Sequence, residues 1–217
     1  MKIETVRKWV GKEEIDYPFL ISALAHYAHP RDKISDWLKS GDLIRIKKGL
    51  YVFGKHIALT PYSHEVLANL IYGPSAISLS YALSYYGLIP ERAHTVTSIT
   101  SKRNKLFTTP IGEFTYTYLN PTKYAVGIEL ISTSKTHHFL IASPEKALCD
   151  HIHLIDKRII FSHVSEIEAY LLGDLRIDEN ALKTFRIKKI LEICIAYQDT
   201  RLEFLIMFIK KWKKNNV

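Results

Sequence analysis

One short segment constrains the fold of this chain more than any other part of it. Residues 32–53 read DKISDWLKSGDLIRIKKGLYVF, which joins an amphipathic stretch, a glycine and an alternating basic stretch. Ile34, Trp37 and Leu38 recur at the spacing of one helical face. Gly41 follows at the place where a residue of left-handed conformation commonly ends a helix. The segment therefore predicts a helix followed by a two-stranded β-hairpin.

A preceding helix is predicted over residues 19–27, where apolar residues recur at helical spacing. The His29–Pro30 pair should end that helix, because a residue that precedes proline is pushed out of the helical conformation. We expect Asp32 to cap the second helix by accepting hydrogen bonds from backbone N–H groups of its first turn.

The hairpin is predicted to carry its positive charge on one face. Apolar and cationic residues alternate over residues 44–47, and Lys48-Gly49 suits a two-residue turn in which glycine takes a positive φ. Such a turn would place Tyr51 opposite Ile46 on the packed face and direct the cationic side chains outward.

Two helices followed by a basic hairpin predict a winged helix-turn-helix. In such modules the second helix enters the major groove of DNA, and the hairpin, or wing, contacts the backbone or minor groove. Asp32 and Asp36 argue against this, because phosphate repels carboxylates, unless one caps the helix and the other accepts from a cytosine amino group. A solvated turn on a pure interaction module is the alternative. The candidate DNA contacts are Arg31, Lys33, Ser35, Lys39, Arg45, Lys47 and Lys48.

Positive charge is concentrated at the two ends of the chain. The formal net charge is +8, and residues 1–60 and 181–217 are basic whereas the middle is not. A basic surface attracts nucleic acid because binding releases condensed counterions. For the C-terminal end the alternative is solubility, together with the preference of helix ends for cations. The candidates for auxiliary nucleic-acid contact are Lys102, Arg103, Lys105, Lys210, Lys211, Lys213 and Lys214.

The length of 217 residues fits one large domain or two small ones. Thr60-Pro61 can start a helix, so we expect a domain boundary there. We predict an α+β protein, with a winged helix-turn-helix at 1–60 and a mixed α/β C-terminal domain at 61–217 that ends in a long helix. The predicted elements of that domain are strands at 95–100, 114–118, 126–132 and 139–142, a helix capped by Ser143, and one long helix over 187–214.

Nothing in the sequence indicates a catalytic, metal or cofactor site, and we expect no enzyme. Cys149 and His153 are spaced i, i+4 like some metal ligands, but no second closely spaced pair accompanies them. No phosphate-binding glycine loop or nucleophile elbow is present. Cys149 and Cys194 lie far apart, and neither a secretion signal nor a membrane span is evident, so we expect a cytoplasmic location.

Four segments together carry a resemblance to a known family. In their order along the chain they resemble the AbiEi-type antitoxins of type IV toxin–antitoxin systems, many of which are described as transcriptional regulators. The resemblance covers residues 17–150. The segments are LIRIKKGLYVFG (43–54), ISLSYALSYYGLIPE (77–91), TVTSITSKRNKLFTTPIGEFTY (95–116) and ASPEKALCD (142–150).

The resemblance implies two functions on two domains. The N-terminal domain would bind inverted repeats in double-stranded DNA of its own promoter and repress transcription. The C-terminal domain would counteract a nucleotidyltransferase-type toxin, directly or functionally, and no membrane is involved. Residues 33–39 and 45–48 match the DNA-reading part. The first 17 residues depart from the family, and would form either an extra helix over the module or a segment that alters its docking.

Two alternatives stay open. The first is an antitoxin that neutralises its toxin by protein interaction and whose winged module binds no specific DNA sequence. The second is an enzyme that acts on nucleic acid or on the toxin. Binding to promoter DNA distinguishes the leading hypothesis from the first alternative, and turnover by the purified protein would reveal the second.

Overall fold

The computed structural model describes residues 2–154 and 160–216, which form an α+β protein of two units. The elements of the N-terminal unit are α1 (Ile3–Val10), β1 (Glu14–Asp16), α2 (Tyr17–Ala23), α3 (Pro30–Ser40), β2 (Leu43–Lys47) and β3 (Leu50–Phe53). Its strands form an antiparallel sheet in the order β1-β3-β2. The hairpin β2–β3, which we call the wing, therefore closes on a strand that precedes both α2 and α3.

The helices of the N-terminal unit pack on one face of this sheet. Leu20 of α2, Trp37 of α3 and Phe53 of β3 are buried in one apolar cluster, to which α1 also contributes. The prediction for α3 is confirmed, because Ile34 and Trp37 are buried and Gly41 ends the helix with a φ of 79°. The extra helix that was one option for the first residues is present as α1.

Two local predictions for these helices are wrong. The first helix ends at Ala23 rather than at residue 27, and its cap is Asp16, which lies just before it. Asp32 is not a cap, because α3 starts at Pro30 and its N-cap position is occupied by His29. Proline is favoured at the first helical position, so it moves the start of α3 ahead of the aspartate.

The predicted pairing of the wing strands is also wrong. Arg45 pairs with Tyr51 and Lys47 pairs with Leu50, so Ile46 is an extra residue with no partner of its own. Such a bulge shifts the residue that follows it to the other face of the hairpin. Lys47 therefore lies on the same face as Leu50, not on the solvent face that simple alternation predicts.

The second unit, which we call the body, is built on a six-stranded mixed sheet. Its strands are β4 (Ser75–Ile77), β5 (Val96–Thr100), β6 (Lys105–Thr109), β7 (Gly112–Tyr118), β8 (Ile128–Ser132) and β9 (His138–Ala142). They lie in the order β6-β7-β5-β4-β9-β8, with parallel pairing of β5 with β7 and of β4 with β9. The four predicted strands are present as β5, β7, β8 and β9, whereas β4 and β6 were not predicted.

Helices cover both faces of this sheet. They are α4 (His64–Ile71), α5 (Leu79–Tyr85), α6 (Pro121–Ala125), α7 (Pro144–Leu154), α8 (Val164–Ala169), a π-helical segment (Tyr170–Asp174), α9 (Glu179–Thr184), α10 (Ile187–Tyr197) and α11 (Thr200–Asn216). The start of α7 is as predicted, since the Ser143 hydroxyl accepts a hydrogen bond from the Lys146 backbone N–H at 3.3 Å. Within the two described ranges no helix has the length and apolar character needed to cross a membrane.

Two helix boundaries in the body differ from the prediction. The first helix starts at His64 with Ser63 as its cap, not at residue 61. The predicted long terminal helix is two helices, because Gln198 takes a left-handed conformation with φ of 50° and ends α10. Asp199 then accepts a backbone N–H from the first turn of α11. The chain still finishes in the longest helix of the part described, α11.

The wing belongs to the N-terminal unit and packs between the rest of that unit and the body. One of its faces carries Tyr51 and Phe53 into the N-terminal cluster described above. The other face carries Ile46, Leu50 and Val52 into the main apolar cluster of the body. The boundary near residue 60 is therefore bridged by a shared apolar interface rather than by an open linker.

Glu13 fixes the segment that connects the two units. Its carboxylate forms a buried ion pair with Arg7 at 2.6 Å and accepts the backbone N–H groups of Leu59 at 3.0 Å and Thr60 at 2.9 Å. Burial alone would raise the pKa of Glu13, but the hydrogen bonds from Arg7 and Thr60 outweigh it and leave this pKa below its ordinary value.

Candidate nucleic-acid interface

The outer face of α3 is open to solvent. Arg31, Ser35 and Lys39 are exposed and follow one another at intervals of one helical turn, so they form a single row. Asp32 and Asp36 are exposed beside this row. Neither the wing nor the body covers this face, which is the geometric condition for a helix that enters a DNA groove.

Lys33 is the least available of the candidates on α3. It is half-buried, and its ammonium lies 5.6 Å from the centre of the Trp37 ring. A cation over an aromatic face is held there by the ring quadrupole. Lys33 therefore supports the packing of α3 before it contributes to any contact outside the protein.

The wing offers two free cations instead of the three that were predicted. Arg45 and Lys48 are exposed, whereas Lys47 turns toward the body and its ammonium donates a hydrogen bond to the Ile71 carbonyl at 2.6 Å. Burial lowers the pKa of Lys47, and the nearby charge of Lys102 lowers it further. The assignment of Lys47 to the outer surface is thus wrong, and the bulge at Ile46 is the cause.

The basic connector of the body lies at the C-terminal end of α4. Lys102 donates to the Gly73 carbonyl at 2.5 Å, and its ammonium lies 5.5 Å from the centre of the Tyr72 ring. Arg103 and Lys105 are exposed. Of these three cations, Lys102 has a structural partner, while the guanidinium of Arg103 projects into solvent.

The lysines of α11 form a separate group. Lys210 and Lys214 are exposed, whereas Lys211 lies 3.9 Å from the Glu168 carboxylate and Lys213 donates to a backbone carbonyl at 2.8 Å. The helix itself packs on α7, α8, α9 and α10 of the body. Half of this basic run is therefore engaged within the protein.

A buried polar network in the body was missed by sequence reasoning. The fully buried Lys146 ammonium lies 3.2 Å from the Asp150 carboxylate and donates to the Tyr197 hydroxyl at 2.6 Å. Asp150 also accepts a hydrogen bond from Tyr197 and another, at 2.6 Å, from Ser78. Burial lowers the pKa of Lys146 in spite of its acidic partner. The network ties α5, α7 and α10 together.

One signal in the sequence could have found this network. Lys146 and Asp150 stand one turn apart in a helix whose other positions are mostly apolar, and buried charges at that spacing pair with each other. The partner Tyr197 lies in α10, far along the chain, and no local pattern points to it. The network was therefore recognisable as a pair but not as a junction of three helices.

The weak metal pattern on α7 does not become a site. Cys149 is fully buried, and the Nδ1–H of His153 donates to the Asp199 carboxylate at 2.6 Å. Burial raises the pKa of Cys149 well above its usual range, which keeps the thiol protonated. Across residues 2–154 and 160–216, no three metal-ligating side chains come together.

Comparison of the chain with protein-family models and with curated proteins finds no match. The helix α3 contacts the strand β2 of the wing, and both carry exposed polar side chains. The candidate DNA contacts that are exposed on α3 and the wing are Arg31, Ser35, Lys39, Arg45 and Lys48.

Proposed function

We propose that the N-terminal unit is a winged helix-turn-helix that binds double-stranded DNA. The observation that carries this proposal is the open polar row on α3 next to a wing with two free cations, Arg45 and Lys48. The order of helix, strand, two helices and a hairpin that pairs with the strand is also typical of winged modules. In this arrangement α3 would enter the major groove and the wing would hold the backbone.

The whole chain would then act as a cytoplasmic antitoxin that represses its own promoter. This part of the proposal rests on the family resemblance of residues 17–150, and the body would be the part that counteracts a nucleotidyltransferase-type toxin. The apolar packing of the wing on the body is consistent with such a protein acting as one piece. No catalytic role is proposed for any residue.

Binding to promoter DNA at several salt concentrations tests the first part. Four cations, Arg31, Lys39, Arg45 and Lys48, are free to meet phosphate, which predicts a log–log salt slope of about −3.6. A random duplex of equal length is the control and should bind more weakly. Equal affinity for both duplexes would overturn sequence-specific repression, and no binding to either would overturn DNA binding itself.

Co-expression tests the second part. The full chain should restore growth of cells that express the nucleotidyltransferase encoded beside it. The double variant Arg45→Ala, Lys48→Ala should lose promoter repression but keep the rescue, because the wing cations lie away from the body. Absence of such a toxin gene, or failure of the full chain to restore growth, would overturn the antitoxin assignment.

A second candidate function is an antitoxin whose N-terminal unit binds protein rather than DNA. The exposed carboxylates of Asp32 and Asp36 on α3 favour it, because neither caps the helix. The variant Asp32→Asn, Asp36→Asn separates the two. If α3 enters a DNA groove, removal of two negative charges should tighten binding to any duplex. An interaction module predicts no change in duplex affinity.

A further inference from the structure

The wing leads directly from α3 to the body. Its two faces pack on the two units, as described above, and Lys47 beside its tip reaches the body. The surface of the body at that point is the end of α4 and the loop 101–104 that precedes β6. This surface therefore adjoins the wing.

Two lysines join the wing to this part of the body. Lys47 of the wing reaches the Ile71 carbonyl, and Lys102 of the loop reaches the Gly73 carbonyl, only two residues further along. Carbonyl groups at the end of a helix attract cations, so both contacts have a structural reason. They also bring two positive charges from different units to one place on the surface.

Basic and aromatic side chains alternate beyond this point. Lys102 lies over the Tyr72 ring, Tyr72 contacts the Phe107 ring at 5.8 Å between centres, and Lys105 lies 6.0 Å from the centre of Phe107. The rings thus hold the ammonium groups on the surface instead of letting them fold onto carboxylates. The open groove beside this row is lined by Tyr72, Ser101, Lys102, Arg103, Asn104 and Tyr118.

The groove has donors and no acidic residue in its lining. Arg103 is exposed and makes no polar contact with the described chain. Asn104 uses its side-chain oxygen to accept the Tyr118 backbone N–H at 2.6 Å, which leaves its amide N–H groups for another partner. Helix-end capping explains Lys102, but it explains neither Arg103 nor Lys105. Free donors with no opposing carboxylate match the chemistry of a phosphate chain.

We propose that this groove is a second phosphate-binding surface, which holds the DNA backbone beyond the stretch contacted by α3 and the wing. The inference rests on the proposed DNA binding of the N-terminal unit. It assigns Arg103 and Lys105 as backbone contacts and Asn104 as a neutral donor between them. These contacts position the duplex and carry no base specificity.

The test compares two double variants of the full chain. Arg103→Ala with Lys105→Ala removes one cation that lines the groove and one that lies beside it. The matched control, Lys135→Ala with Lys188→Ala, removes two exposed cations, one of them at the opposite edge of the sheet, that are not candidates for DNA contact. Each is titrated with a long promoter duplex at several salt concentrations. The groove variant should have a slope shallower by about 1.8 than wild type, whereas the control should keep the wild-type slope. Thermal unfolding of both should match wild type, since all four side chains are exposed.

A short duplex that covers only the α3 and wing contacts completes the test. Wild type and the groove variant should bind it equally, because the groove lies beyond its end. An unchanged slope on the long duplex, or equal losses in both double variants, would overturn the groove assignment and leave the proposed function standing. Failure of wild type to bind either duplex would overturn both.

Discussion

Lysines occur both on the surface formed by α3 and the wing and in the interior of the body at α7. The two regions use these lysines in opposite ways. On the surface, Lys39 and Lys48 are exposed, and within residues 2–154 and 160–216 no carboxylate pairs with them. In the interior, Lys146 is fully buried and is held by Asp150 and Tyr197. The same residue type is therefore solvated in one region and part of the packed interior in the other. What separates the two roles is packing, which the local sequence does not record.

The largest expected effect lies on the interior side of this comparison. Lys146→Met keeps the volume of the side chain but leaves the Asp150 carboxylate buried without a cation, which should cost about 3–5 kcal/mol of unfolding free energy. Lys39→Ala on the surface should change stability by no more than about 0.5 kcal/mol. Urea unfolding of both variants checks the pair. Similar losses of unfolding free energy in the two variants would contradict the difference between the two regions.

A smaller effect is expected from pH. Burial lowers the pKa of His151 to about 4, from 6.5. Between these values the unfolded chain binds a proton that the folded protein does not, so stability falls as pH decreases from 7 toward 4. At pH 4.5 this group should account for about 2–3 kcal/mol of the loss. The unfolding free energy of His151→Gln should therefore depend less steeply on pH than that of wild type.

The exposed His26 supplies the control for that measurement. His26→Gln should follow the wild-type pH curve, because the side chain of His26 lies at the surface and not in the interior. If His151→Gln followed the wild-type curve as well, His151 would not be the interior group that the geometry describes.

The next effect is on DNA affinity at the surface. Arg45→Ala with Lys48→Ala removes two phosphate contacts, and binding should weaken roughly tenfold at physiological salt with a salt slope shallower by about 1.8. Fluorescence anisotropy with a labelled duplex at several salt concentrations measures both. Stability should be unchanged, and a variant that lost stability but kept its salt slope would contradict the surface role.

The smallest expected effect concerns Lys47, which lies where the surface of the wing meets the body. Lys47 is next to Lys48 in sequence, but its ammonium is bound to the Ile71 carbonyl. Lys47→Met should cost about 1 kcal/mol of stability and leave the salt slope of DNA binding unaltered. The adjacent substitution Lys48→Ala should do the reverse. An equal change in the salt slope of DNA binding for the two variants would indicate that the Lys47 ammonium is exposed and contacts DNA.

Elements governed by neighbouring residues could be predicted. The burial pattern of α3, its end at Gly41, the strands β5 and β7, and the Ser143 cap all follow from spacing and local backbone chemistry. The wing registry could not, because the bulge at Ile46 serves a packing interface with a part of the chain that follows it. The short strand β4 has only three residues, too few for a periodic signal.

The candidate site was predictable to a similar extent. Charge and helical phase placed Arg31, Ser35 and Lys39 on one open face, because α3 determines that by itself. The fate of Lys47 depended on the body, and the split between α10 and α11 depended on the conformation of Gln198. A distant partner, the Ile71 carbonyl, thus decided the first outcome, and a left-handed backbone conformation decided the second.

The contacts of Glu13 determine how the two units are connected. Its carboxylate accepts hydrogen bonds from Leu59 and Thr60 and pairs with Arg7. The segment that connects the two units is therefore held in place and does not act as a flexible linker. If the N-terminal unit binds DNA as proposed, two copies on neighbouring half-sites would be spaced by the size of their bodies and not by the length of a flexible linker. A force applied to the body would therefore reach the N-terminal unit through this ion pair and these hydrogen bonds.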